Sequence, residues 1–207
     1  MICIIDYGVG NIQPYLTLFK QIGVKAGRVS TPDQLSLATH LILPGVGHFD
    51  HAIKSLNNSG MRTSLENLVL KLEIPIMGVC VGMQILADSS EEGDLPGLGW
   101  VPGSVRAFAG NPQSATLPMP HMGWNELEPK NDSKLFSYGI DKHSEFYFLH
   151  SFYFEAQDKN DVAATARYGL DFDAAISRRN IYGVQFHPEK SASVGEQIIQ
   201  NFLSLKS

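Results

Sequence analysis

A chain of 207 residues is long enough for one domain with a sizeable core, expected to span 1–207. Hydrophobic residues at 43%, charged residues at 18% and a formal net charge of −5, with the sixteen lysines and arginines scattered, exclude disorder and a basic nucleic-acid-binding face. No apolar run approaches the ~18 residues of a membrane span, the N-terminus lacks a signal-like pattern, and two cysteines suit neither a disulfide framework nor a zinc site, so a cytoplasmic protein without metal or other cofactor is expected.

Met1 to Ile5 is a continuous apolar run, as in strands buried on both faces of a parallel sheet, and Cys3 is read as core. In the turn that follows, Asp6-Tyr7-Gly8-Val9-Gly10-Asn11, two glycines begin a dinucleotide-type pattern. Gln13 occupies the third glycine's place and no acidic residue ends a second strand at the right distance, so that reading is set aside. Pro14 opens a helix that Tyr15, Leu16, Leu18, Phe19 and Ile22 carry to Gly23. A weaker strand over Val24 to Val29, a short helix opened by Thr31-Pro32-Asp33 and a strand over His40 to Leu43 complete a βαβ rhythm. Pro44-Gly45-Val46-Gly47-His48-Phe49 then forms a glycine-rich loop at the carboxyl end of the third strand, where open α/β sheets place ligands. His48 and His51 have no third metal ligand in view and are read as polar loop side chains. Helical patterns over Ala52 to Leu56 and Met61 to Leu72 deliver the chain to a strand at Ile76.

That strand runs into Gly78-Val79-Cys80-Val81-Gly82, which has the form of a nucleophile elbow: a strand, a tight turn carrying the nucleophile, and a helix start. Glycines two residues either side of Cys80 let strand and helix pack closely. The helix dipole would favour a thiolate, and the Val81 backbone N–H would receive a developing oxyanion. Beyond the helix, residues 89–103 hold so many turn formers that a loop is expected. Short β-type runs follow at Val105 to Phe108, Asn125 to Leu127, Phe146 to Phe154, Val162 to Tyr168 and Ala174 to Ser177, suggesting an antiparallel layer or a locally mixed sheet. Pro120-His121-Met122-Gly123-Trp124-Asn125 gathers large side chains around a glycine and needs a cover. Ile181 to Phe186 is a further strand ending in His187-Pro188-Glu189-Lys190, and Ser193 is expected to cap a final helix with Ile198, Ile199, Phe202 and Leu205 on one side.

A cysteine nucleophile needs a base and a third group to fix that base's tautomer. His187 and Glu189, two apart on an extended segment, project to the same side, and Pro188 restricts the backbone between them. His121, His143 and His150 are rival bases; of these only His143 has a carboxylate two residues away, Glu145, within a polar stretch read as surface.

Gly78-Val79-Cys80-Val81-Gly82-Met83-Gln84 together with Gln185-Phe186-His187-Pro188-Glu189 resembles the class I, or triad, glutamine amidotransferases. The Ile5 to Asn11, Pro44 to Phe49 and Pro120 to Asn125 stretches are similar to one branch of that family, the glutaminase subunit of imidazole glycerol phosphate synthase. The resemblance implies a three-layer, mostly parallel sheet flanked by helices with an antiparallel extension. It implies hydrolysis of glutamine through a Cys80 thioester, with His187 as acid and base oriented by Glu189. A second oxyanion donor would come from the Val46 and Gly47 backbone; Gln84, Glu92, His150, Ser151 and Phe152 would grip glutamine. The implied partner is a (β/α)₈ cyclase subunit that consumes the ammonia in histidine biosynthesis, docked at Gly8, Gly10, Asn11, Met122, Trp124, Asn125 and Lys190. Phe152 stands where a tyrosine is usual and Pro14 where a serine is common. A glutaminase serving another synthase, such as one that aminates a sugar, a non-catalytic regulator of the same fold and a triad cysteine hydrolase remain alternatives.

Overall fold

The computed structural model describes residues 1–130 and 133–205, so the last two residues of the expected 1–207 unit lie outside it. Its strands are β1 (Ile2–Ile5), β2 (Ala26–Val29), β3 (His40–Gly45), β4 (Ile76–Cys80), β5 (Ser89–Ser90), β6 (Gly103–Ala107), β7 (His121–Glu126), β8 (Glu128–Pro129), β9 (Glu145–His150), β10 (Phe152–Ala156), β11 (Val162–Tyr168), β12 (Leu170–Arg178) and β13 (Ile181–Val184). The helices are α1 (Ile12–Gln21), α2 (Phe49–Asn58), α3 (Arg62–Glu66), α4 (Val81–Gln84) and α5 (Ala192–Ser204), with short 3₁₀ turns between.

The main sheet runs β2-β1-β3-β4-β13-β12-β10-β6-β5, with β11 and β8 continuing from β12 off this path. Pairing is parallel from β2 to β13, then antiparallel from β13 through β12 and β10 to β6. The continuous apolar sequences of β1, β3 and β4 are explained by burial on both faces: β1 and β4 have no exposed residue, and Cys3 is wholly enclosed. Register fixes the site. Gly45 lies opposite Cys80, and Val184 opposite Val79, so the segments that leave β3, β4 and β13 emerge side by side at one sheet edge.

Several boundaries differ from those read off the sequence. The predicted Val24 strand begins only at Ala26, and the Ala52 helix starts earlier, at Phe49, because His48 caps it through a 3.1 Å bond from the Asp50 N–H to Nδ1. The Met61 to Leu72 pattern divides into α3 and a π-helical turn at Asn67–Lys71. The 89–103 loop contains the two-residue β5 and ends in β6, which runs from Gly103 to Ala107 instead of Val105 to Phe108. The final helix is not capped by Ser193, which lies inside it; its N-cap position is the buried Ser191, whose hydroxyl is already committed to the His187 carbonyl at 2.7 Å.

The single run predicted from Phe146 to Phe154 divides at Ser151 into two strands of different sheets. β9 pairs with β7 in a separate two-stranded antiparallel ribbon, while β10 joins the main sheet. β7 is longer than the Asn125 to Leu127 strand expected and takes in the His121 to Asn125 cluster. Alternation along β7 turns His121 inward and leaves Met122 and Trp124 at 64% and 51% exposure, so these two are not core.

Candidate active site

Cys80 sits at the end of β4 with φ +55° and ψ −116°, a backbone conformation costly for a side-chain-bearing residue and held here by its surroundings. Those surroundings are backbone. A Cβ on Gly78 would stand 2.5 Å from the Gly82 carbonyl oxygen, one on Gly82 would run into the Leu43 carbonyl oxygen, and one on Gly45 into the Gly82 nitrogen. The elbow therefore has glycine where strands β3 and β4 and the turn after Cys80 meet with no room for a methyl group. The helix that follows is shorter than expected: α4 is a single turn, so a full helix dipole is not what acts on the thiol.

What surrounds the sulfur instead is polar. Gln185 Nε2 lies 3.7 Å from Cys80 Sγ, and the Leu149 carbonyl oxygen lies 3.9 Å from it. Gln185 is itself held by Gln84, whose Nε2 donates to Gln185 Oε1 and to the Phe152 carbonyl, both at 3.0 Å. His187 and Glu189 are brought together, but across a 3₁₀ turn at Pro188–Lys190 instead of the extended segment expected: Nδ1 donates to Glu189 Oε1 at 2.8 Å, with both side chains buried. Burial works against the charged imidazole, but hydrogen bonds and charge from Cys80 and Glu189 outweigh it and raise the His187 pKa to about 9. With Nδ1 committed to the carboxylate, Nε2 is the ring nitrogen left for the thiol.

Cys80 and His187 open into a cavity of about 300 Å³. Val46, Gly47, Val81, Gln84 and Glu92 line it together with His150, Ser151, Phe152 and Lys190. Each predicted glutamine contact thus borders one space, although two have additional commitments. Gln84 is engaged as above, and one Glu92 oxygen accepts the Phe49 N–H at 2.8 Å at the start of α2.

His150 is not a free base. Its Nδ1 donates to the Phe152 carbonyl at 2.8 Å, so its Nε2 accepts from His121 Nδ1 at 2.9 Å, and His121 Nε2 receives the Asn125 amide at 3.4 Å. Burial holds both imidazoles neutral, His121 at about 4 and His150 at about 3. His143 is exposed, near Glu126. Of the residues expected at a docking face, Gly8 and Asn11 are exposed, Asn11 caps α1 through its side chain, and Lys190 lies over the Tyr147 ring at 5.6 Å. Asn125 instead points back into the protein, toward His121 and the Arg167 carbonyl. Among the described residues no group of three or more His, Cys, Asp or Glu side chains is arranged to hold a metal ion, and no helix is long and apolar enough to cross a membrane.

Gln185, Tyr7 and Tyr15 were not singled out from the sequence as site residues. Gln185 carried a signal as the first residue of the Gln185-Phe186-His187-Pro188-Glu189 stretch. Tyr7, whose hydroxyl donates to the Pro44 carbonyl at 2.8 Å, and Tyr15 were hidden by their apolar context.

An elbow cysteine at the carboxyl edge of a parallel sheet shares a small cavity with the histidine of a histidine–carboxylate pair, the set of groups a cysteine-nucleophile mechanism requires. A family model for class-I glutamine amidotransferases matches residues 3–205, and the chain belongs to that family. It is 53% identical over 98% of its length to the imidazole glycerol phosphate synthase subunit HisH of Bdellovibrio bacteriovorus, covering 98% of that protein. It is 46% identical over 99% of its length to the protein of the same description from Leptospira interrogans, covering all of it. Among solved structures, a glutamine amidotransferase superposes with a TM-score of 0.76 over 98% of this chain and 97% of that one at 20% identity. A chain from the structure of PurLQS of Thermotoga maritima gives 0.72 over 98% and 96% at 18%; both show the shared fold.

Proposed function

We propose that residues 1–207 form one amidotransferase domain that hydrolyses glutamine to glutamate and ammonia as the glutaminase subunit of imidazole glycerol phosphate synthase. The observation that carries the chemistry is that Cys80 and His187 border one cavity of about 300 Å³ while Glu189 holds the His187 ring through Nδ1. Support for the particular synthase comes from full-length relatives at 53% and 46% identity that bear that description.

In this reading the Cys80 thiolate attacks the side-chain carboxamide carbon. The tetrahedral oxygen is received by backbone N–H groups of Val81 and of the Val46–Gly47 segment, which line the same cavity as Cys80. His187, protonated at neutral pH, gives its proton to the departing ammonia and becomes the base that takes a proton from water. The resulting hydroxide attacks the thioester, releasing glutamate and restoring the thiolate. Glu189 holds Nδ1 throughout, so the imidazole presents Nε2 to each step. Glu92 has a second carboxylate oxygen for the substrate's α-ammonium, and the Ser151–Phe152 backbone meets its carboxylate end.

Ammonia released into water at neutral pH is protonated and no longer nucleophilic, so it passes directly to a (β/α)₈ cyclase subunit in a heterodimer whose overall reaction is of the lyase type, in the cytoplasm. Met122 and Trp124, exposed on β7, and the cavity-lining Lys190 form the docking face with the Gly8–Asn11 turn. Incubation with glutamine and the cyclase should yield glutamate, and Cys80→Ser should abolish it. Undiminished turnover in that variant rejects the triad. Failure of the intact gene to restore growth of a histidine auxotroph, with soluble protein made, rejects the synthase assignment in favour of another amination reaction.

A further inference from the structure

The histidine–carboxylate pair leaves one polar atom unexplained. Glu189 is buried, and its Oε1 accepts from His187, but Oε2 meets no donor in full hydrogen-bond geometry among the described residues. A carboxylate oxygen enclosed without a donor is expensive, and a carboxylate held by one oxygen is free to rotate about its terminal bond. Helix α1 packs against the Pro188–Lys190 turn that carries Glu189, and Tyr15, 2% exposed on that helix, lies within reach of that carboxylate.

We propose that Tyr15 is a positioning residue of the active site: its hydroxyl donates to Glu189 Oε2, fixing the carboxylate so that Oε1 stays on His187 Nδ1 and Nε2 stays on the thiol. This rests on the reading of Cys80, His187 and Glu189 as the reacting set. Burial, and then Glu189 itself, hold the tyrosine pKa well above its usual value, so the hydroxyl remains a donor throughout the working range. The role cannot pass to another donor nearby. Tyr7 is committed to the Pro44 carbonyl, Ser191 to the His187 carbonyl, and Lys190 is drawn out over Tyr147.

Tyr15→Phe tests this, because it removes one oxygen and keeps the ring that packs α1. The other titratable groups facing His187 and Tyr15, namely Cys80, Tyr7, Glu189 and His150, are unchanged in the variant. The His187 ring titration, followed by NMR in the full chain without glutamine, should move at least 0.5 pH unit below its wild-type midpoint as the carboxylate loosens. With the cyclase present, kcat for glutamine should fall three- to tenfold while KM stays within twofold. An unmoved midpoint, or a fall in kcat matched by a fall in folded protein, overturns the role. A shifted midpoint in Tyr15→Phe, beside a wild-type protein that hydrolyses no glutamine, would uphold the positioning and reject the glutaminase reading, so the two fail separately.

Discussion

Acidification should unfold this protein through two named histidines, and the amount follows from the structure. His121 and His150 are bonded to each other, are 3% and 6% exposed, and ionise at about 4 and about 3 instead of near 6.5. Both pKa values are depressed on folding, so protonation favours the unfolded chain. The stability they contribute is whole above about 6.5 and drains away as pH falls toward the folded values. By linkage, His150 and His121 each withdraw about 2 kcal/mol between pH 6.5 and 4.5. Urea unfolding followed by circular dichroism at these two pH values should show a loss of several kcal/mol. In His121→Gln, whose amide keeps a bond to His150, that loss should shrink by about 1–2 kcal/mol. Over the same range KM for glutamine should rise first in wild type, since the pair holds the Phe152 carbonyl at the cavity wall. A His121→Gln protein that loses as much stability between the two pH values as wild type would refute the assignment of the acid sensitivity to this pair.

Further outcomes are expected elsewhere. Gly82→Ala places a methyl group against the Leu43 carbonyl and should cost about 1–3 kcal/mol in denaturant unfolding, with Cys80 labelling by iodoacetamide lost in the protein that still folds. Glu189→Gln removes a charge-assisted hydrogen bond of about 1.5–3 kcal/mol and should lower kcat about 10- to 100-fold. Because the His187 pKa is raised on folding, its charge is kept below about 9 and lost above, and this alkaline limit should move to lower pH in Glu189→Gln; a pH–rate profile reads both effects. Trp124→Ala, at a half-exposed position, should change the stability of the free chain by under about 0.5 kcal/mol while weakening cyclase binding about tenfold or more by calorimetry.

The parts of the site that were legible in sequence are those in which short-range geometry and chemistry coincide. Cys80 is marked by glycines whose absence of a side chain the backbone contacts require, and His187 and Glu189 by their closeness in sequence, although a 3₁₀ turn and not an extended segment joins them. The βαβ order and the double burial of β1, β3 and β4 were visible as unbroken apolar runs. What was not legible depends on partners distant in the chain. The break at Ser151 between β9 and β10 lies inside continuous β-forming sequence and is set by which sheet each half joins. The helix expected after the elbow stops after one turn, since Leu98 and Trp100 fold back to bond the Ile85 and Leu86 carbonyls that further turns would have used. Tyr15 reads as one more apolar position of α1 until the Pro188–Lys190 turn is seen against it.

The β7 ribbon faces two ways, with His121 turned inward onto His150 and its neighbours Met122 and Trp124 turned out. Sliding this strand by a single position against β9 would hide the tryptophan and expel the imidazole in one movement. Insertions and deletions in descendants of this chain should accordingly collect in the irregular segments on either side, around residues 109–120 and 137–144. Within the ribbon itself, a change of length would sever the outer surface from the inner one at the same stroke.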